Sequence, residues 1–78
     1  MGIKKPIQPV YRQFGSKIEA VRTALGMSQM EVAKKVKLTR TYIANIEAGT
    51  QRVLLYDVVR FSDAFGISPR ALLKGIWL

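Results

Sequence analysis

Phe14, Ile18, Val21 and Leu25 recur at intervals of four, three and four residues, which sets them on one face of a helix advancing about 100° per residue. Gly26 follows as the expected stop, since glycine enters the left-handed conformation that ends helices without a steric penalty. Upstream, residues 1–11 (MGIKKPIQPVY) hold two prolines and two lysines in no regular period and predict an irregular basic arm ahead of a domain spanning 12–78. A second apolar set, Val32, Ala33 and Val36, gives the buried face of a short helix. Its start is marked by Ser28 with Glu31 three residues later, a pair that can cap a helix reciprocally. Lys37 and Leu38 leave only a tight connection before Thr39, whose hydroxyl can cap a third helix running to Ala48 and stopped by Gly49. Residues 50–54 (TQRVL) read as a loop. Leu55, Val58, Val59, Ser62 and Phe65 then outline a fourth helix closed by Gly66, and Ser68 with Pro69 opens a fifth that runs to about Lys74. No segment alternates with period two, so the expected fold is all-α, a compact bundle of five short helices.

The second and third helices, joined this closely, have the form of a helix-turn-helix. On the third, Ile43 and Ile46 point one way, while Thr41 and Asn45 fall roughly opposite, with Ala44 beside them and Arg40 toward the helix start. Small side chains let a helix enter the major groove of B-DNA. Arginine suits guanine, asparagine suits adenine, and threonine suits a base edge or a methyl group. The same residue types also occur on ordinary solvated faces, so this face alone leaves both readings open.

Charge adds weight to the first. The 78 residues carry 13 basic and five acidic side chains, a formal net charge of +8. The first 40 residues hold nine of the basic and only two of the acidic groups. A lopsided basic surface fits a polyanion, nucleic acid ahead of an anionic membrane. With no cysteine and no histidine, disulfides, thiolate chemistry and nearly all transition-metal sites are excluded, and no metal or cofactor is expected. A catalytic base would have to come from Glu19, Glu31, Glu47, Asp57 or Asp63, which form no paired-acid or metal-binding motif, so an enzyme is not expected. No apolar run approaches the roughly 20 residues of a membrane span, and the expectation is a cytoplasmic protein.

The stretch MSQMEVAKKVKLTRTYIANIEAG, with a further match in FGISPRALL, resembles the lambda-repressor-like (Cro/C1/Xre-type) helix-turn-helix family over roughly residues 14–74. The resemblance implies a five-helix DNA-binding domain with residues 28–36 as scaffold helix and 39–48 as recognition helix. By position, Arg40, Thr41, Ala44 and Asn45 are similar to the family's base-reading residues. Gln29 looks like the residue that bonds a phosphate and braces the recognition helix, and Gln51 and Arg52 like the loop that clasps the sugar-phosphate backbone. Thr39, Lys34 and Lys35 join the implied phosphate contacts. So does Tyr42, whose hydroxyl can reach either a phosphate or the core, while Glu47 is implied to be structural. Two positions depart from the pattern: Lys37 stands where glycine or asparagine is usual, and Leu54 where serine or threonine usually caps the fourth helix.

The function so implied is a sequence-specific regulator of transcription binding double-stranded DNA as a homodimer on a pseudo-palindromic operator. The dimer surface is expected on the fourth and fifth helices and the apolar tail, with Leu72, Ile76, Trp77 and Leu78 as its residues. The rival reading is an antitoxin or other protein-interaction module of the same fold, with a small toxin as partner and DNA binding secondary.

Overall fold

The computed structural model describes residues 9–76 and contains five helices: α1 (Pro9–Ala24), α2 (Gln29–Val36), α3 (Arg40–Ala48), α4 (Leu55–Phe65) and α5 (Pro69–Leu73). Most helix starts are set within one turn. Ser28 Oγ accepts the Glu31 N–H at 3.0 Å while Glu31 Oε1 accepts the Ser28 N–H at 2.7 Å, so both orphan donors at the head of α2 are satisfied. Thr39 Oγ1 accepts the Tyr42 N–H and Ser68 Oγ the Ala71 N–H, each at 3.0 Å. Leu54 supplies no such bond to α4. The apolar residue there leaves the first N–H groups of α4 to other acceptors.

The first helix differs from expectation at both ends. It begins at Pro9, inside the stretch expected to be irregular, because a proline at the first helical position gives up an N–H that has no intrahelical partner anyway. The rest of the expected arm, with Lys4 and Lys5, lies outside the described residues. At the other end Leu25 leaves the helix and is exposed. Gly26 turns the chain at φ 71°, the Met27 N–H donates back to the Arg22 carbonyl at 3.0 Å, and Met27 packs on the core instead.

The core draws on every helix: Phe14 and Ile18 from α1, Val32, Ala33 and Val36 from α2, Ile43 and Ile46 from α3, Val58, Phe61 and Phe65 from α4, and Leu72 from α5. Phe61 sits at its centre, edge-on to Phe14 with ring centroids 6.1 Å apart and 6.0 Å from Phe65. The buried face of α4 is thus rotated from the expected one. Val58, Phe61, Ser62 and Phe65 face in, whereas Leu55 and Val59, one turn apart on the other flank, are exposed. Both sets satisfy a helical period, and only the neighbours decide between them.

Two backbone features hold α2 and α3 in place. Gly15, in the middle of α1, faces the Ile46 carbonyl so closely that a Cβ would collide with it, and this absence of a side chain lets α1 and α3 form the most extensive helix pair among the described residues. The turn between α2 and α3 passes through Lys37 at φ 61° and ψ 43°, the only left-handed non-glycine residue described. Its neighbour Leu38 donates back to the Ala33 carbonyl at 3.0 Å, which closes the turn. The left-handed conformation costs a residue with a Cβ about 1–2 kcal/mol, part of which glycine forfeits through its freer unfolded chain. Lys37→Gly is therefore expected to raise stability by about 0.5–1 kcal/mol, seen as a higher urea midpoint. A lower midpoint would show that the lysine stem stabilises the turn by more than its backbone costs.

Candidate nucleic-acid interface

The third helix is fixed on three sides. Ile43 and Ile46 are fully buried beneath it. On one flank Tyr42 donates its hydroxyl to Asp57 Oδ2 at 2.9 Å, tying α3 to α4. On the other, Glu47 turns toward α1, where Arg22 Nε donates to its Oε2 at 2.6 Å and the second guanidinium arm to Oε1 at 3.0 Å. What remains outward is Arg40, Thr41 and Asn45, exposed, with Ala44 half-buried between them. The four residues expected to read bases thus share the solvent face of a helix that cannot easily roll about its own axis.

Gln29 joins the two short helices. Its Nε2 donates to Glu47 Oε1 at 2.9 Å, and its Oε1 accepts from a terminal nitrogen of Arg40 at 3.0 Å. The bracing contact implied for Gln29 therefore runs to both ends of α3. Arg22 also donates to the Met27 carbonyl at 2.8 Å, so one guanidinium holds the α1–α2 turn and the recognition helix together. The bond to Glu47 raises the pKa of Arg22 above its ordinary value, against the effect of burial, and it stays charged. Nothing within a turn of Arg22 marked it for this role. Its partner lies 25 residues away, and both side chains are largely withdrawn from water.

Of the two options that the sequence left open for Tyr42, a phosphate or the core, the hydroxyl takes the core side in this structure. A phosphate oxygen needs a donor, and the Tyr42 proton is already given to buried Asp57. Burial first, and then that bond, raise the Tyr42 pKa, so the phenol remains a donor. Asp57 also lies 3.9 Å from Arg60, whose guanidinium donates to the Val36 carbonyl at the end of α2 and stands 4.8 Å over the Tyr56 ring.

The other expected phosphate contacts occupy varied places. Thr39 spends its hydroxyl as an acceptor in the α3 cap. Gln51 donates to the Arg52 carbonyl at 3.0 Å, shaping the loop that leaves the Arg52 side chain exposed. Lys34 and Lys35 are both exposed on α2, but Lys35 lines a groove with Lys37, Tyr56 and Arg60, formed by the α2 end and α4. Arg12, unassigned by sequence, packs its backbone on Gly49 at the end of α3. Leu72 is fully buried and so cannot belong to a dimer surface, and Ile76 packs partly on the core. Trp77 and Leu78 lie outside the described residues. Leu73, beside Leu72 on α5, is exposed, and the exposed apolar side chains of the described residues are densest at and after the start of α4, with Leu54, Leu55, Tyr56 and Val59.

Two short helices joined through a three-residue turn, the second seated on isoleucines and presenting Arg40, Thr41 and Asn45 outward, define a helix-turn-helix protein, a DNA-binding transcription regulator by class. The chain belongs to the helix-turn-helix family, whose family model matches residues 18–72. It is 41% identical over 61 residues to the control protein C.BamHI of Bacillus amyloliquefaciens, an alignment covering 77% of this chain and 75% of that one. Among solved structures it resembles the restriction-modification controller protein C.AhdI of Aeromonas hydrophila, with 32% identity and a TM-score of 0.80 over 83% of this chain and 98% of that chain. The fold is also that of the controller protein C.Esp1396I, solved as a tetramer with its natural 35 base-pair operator, at 22% identity and a TM-score of 0.80 over 88% and 91% of the two chains. Among the described residues no helix is long and apolar enough to cross a membrane.

Proposed function

We propose that this protein is the transcriptional controller of a restriction-modification system and binds a two-fold symmetric operator as a homodimer, with α3 in the major groove. The observation that carries the reading is the outward set Arg40, Thr41, Ala44 and Asn45 on a helix anchored by Ile43, Ile46, Tyr42 and Glu47. The two control-protein relatives above 30% identity support the regulatory setting. Arg52, Lys34 and the remaining basic excess supply sequence-independent attraction to phosphates, whereas the α3 face chooses among sequences. Selection of binding sites from random duplex tests the reading, and a two-fold symmetric consensus is the expected result. Scrambled duplexes competing as well as any selected one would overturn it. On the selected site Arg40→Ala is expected to cost about 1–3 kcal/mol and to relax one base preference. An equal loss on random duplex would instead make Arg40 a phosphate contact.

One recognition helix spans few base pairs, and two-fold pairing doubles its reach. The exposed flank of α4, with Leu55 at 80% and Val59 at 41% relative exposure, is the apolar face that a second copy would cover. Leu55→Glu is expected to shift the protein to monomer in sedimentation equilibrium and to abolish cooperative filling of the two half-sites. An unchanged dimer would remove this flank from the interface.

A further inference from the structure

The end of α2 and the outer flank of α4 enclose a groove of about 370 Å³, with Lys35, Val36 and Lys37 on one wall and Tyr56, Arg60 and Ala64 on the other. Val36 is buried and Ala64 half-buried, so the floor is apolar, while Lys35 and Lys37 stand exposed at the rim. Arg60 is held in place before anything binds. One of its terminal nitrogens donates to the Val36 carbonyl at 3.2 Å, Asp57 lies 3.9 Å away, and the guanidinium stands 4.8 Å over the Tyr56 ring. A single hydrogen bond leaves most of the guanidinium donors without an acceptor among the described residues, on a group whose rotamers the fold has already restricted. Three cations line the groove against one carboxylate, Asp63. Around α4 these residues sit roughly 100° from Leu55 and Val59, so the groove and the proposed pairing flank are separate faces. No residue of α3 lines it.

We propose that this groove docks an acidic segment of a partner protein, with carboxylates on Lys35, Lys37 and Arg60 and an apolar side chain over Val36 and Ala64. A restrained guanidinium is the side chain best suited to grip a carboxylate, through two parallel N–H bonds. Charge argues for an outside partner over a second copy of this chain. A copy carries the same net charge of +8, and its exposed carboxylates among the described residues are Glu19, Glu31 and Asp63, of which Glu31 is already bonded in the α2 cap. Shape argues for a chain over a small molecule. Pockets for small ligands usually bury about 70–90% of their occupant, which a trough rimmed by exposed side chains cannot do. A peptide instead spreads several weak contacts along such a trough. With α3 outside the groove, a partner seated there leaves the operator-reading face clear.

The test titrates a short fluorescent peptide of alternating aspartate and leucine into the protein at about 0.15 M salt, where long-range attraction between exposed charges is screened, and maps the site by amide chemical shifts. Shifts gathered at Lys35, Lys37, Tyr56, Arg60 and Ala64 are expected, and replacing aspartate by asparagine or leucine by serine should each weaken binding. Shifts on Arg40, Thr41 and Asn45, shifts spread over the whole basic surface, or no saturable binding at all would overturn the proposal. Lys37→Gly, expected above to raise stability, should weaken the peptide about threefold, and Lys35→Gln with Lys37→Gly about tenfold, on the scale of exposed ion pairs. Lys34→Gln with Lys74→Gln removes the same charge outside the groove and should leave the peptide's dissociation constant as in the parent. Equal losses in the two double variants would reduce the binding to net charge and overturn the proposal. So would displacement of the peptide by a free mononucleotide or by the selected operator duplex at the peptide's own concentration, which would give the groove to phosphates. The peptide titration needs no operator, so a failed site selection would sink the reading of α3 and leave the groove's test standing.

Discussion

Arg22→Ala is expected to lower the unfolding free energy by about 3–5 kcal/mol, the usual cost of removing one partner from a buried ion pair. Three acceptor contacts disappear together, two on Glu47 and one on the Met27 carbonyl. The Glu47 carboxylate then keeps a single neutral donor, Gln29, in a site almost closed to water. An uncompensated buried charge costs far more than the pair contributed while intact, so the double change of Arg22→Leu with Glu47→Leu should recover much of the loss. Urea denaturation of the parent, the single variant and the double variant measures both effects. A loss below about 1 kcal/mol for Arg22→Ala would show that solvent screens the pair as it screens a surface one.

Gly15→Ala should destabilise by about 3 kcal/mol, although helix propensity alone predicts a gain of nearly 1 kcal/mol for alanine over glycine inside a helix. The sign is decided by the Ile46 and Glu47 carbonyls, which occupy the space a Cβ would need. Backbone atoms cannot rotate out of the way as a flexible side chain can. α1 and α3 would have to separate, thinning the contact between Phe14, Ile18 and Ile46 and loosening the Arg22–Glu47 bonds beside it. Thermal unfolding checks this. A raised midpoint in the alanine variant would mean that the two helices do not approach as closely in solution.

The two substitutions also separate what is local in this molecule from what is not. Serine and glutamate three apart, threonine ahead of an apolar period, and serine before proline all marked helix starts that the structure contains at Ser28, Thr39 and Ser68. The left-handed strain at Lys37 and the missing cap at Leu54 were legible in the same way. The inward pair Ile43 and Ile46 sufficed to turn Arg40, Thr41 and Asn45 toward solvent. Where two faces of a helix both carried apolar residues, as on α4, periodicity named Leu55 and Val59 as core and passed over Phe61, which sits fully buried between Phe14 and Phe65. Leu72 was placed on a surface for the same reason: an apolar residue near the end of a chain gives no sign of which way it faces.

Caps, stops and the outward face of α3 were determined by sequence alone, because each depends on groups within about one helical turn of one another. The partner of Tyr42 lies 15 residues away and that of Arg22 lies 25 away. Those bonds exist only after α1, α3 and α4 have packed, and packing was decided by shape: a glycine small enough for backbone to meet backbone, and a phenylalanine large enough to fill the centre. Tertiary structure alone therefore settled how firmly the recognition helix is held and which polar groups hold it, since hydrogen bonding across helices is set by distance in space, which residue order does not encode locally.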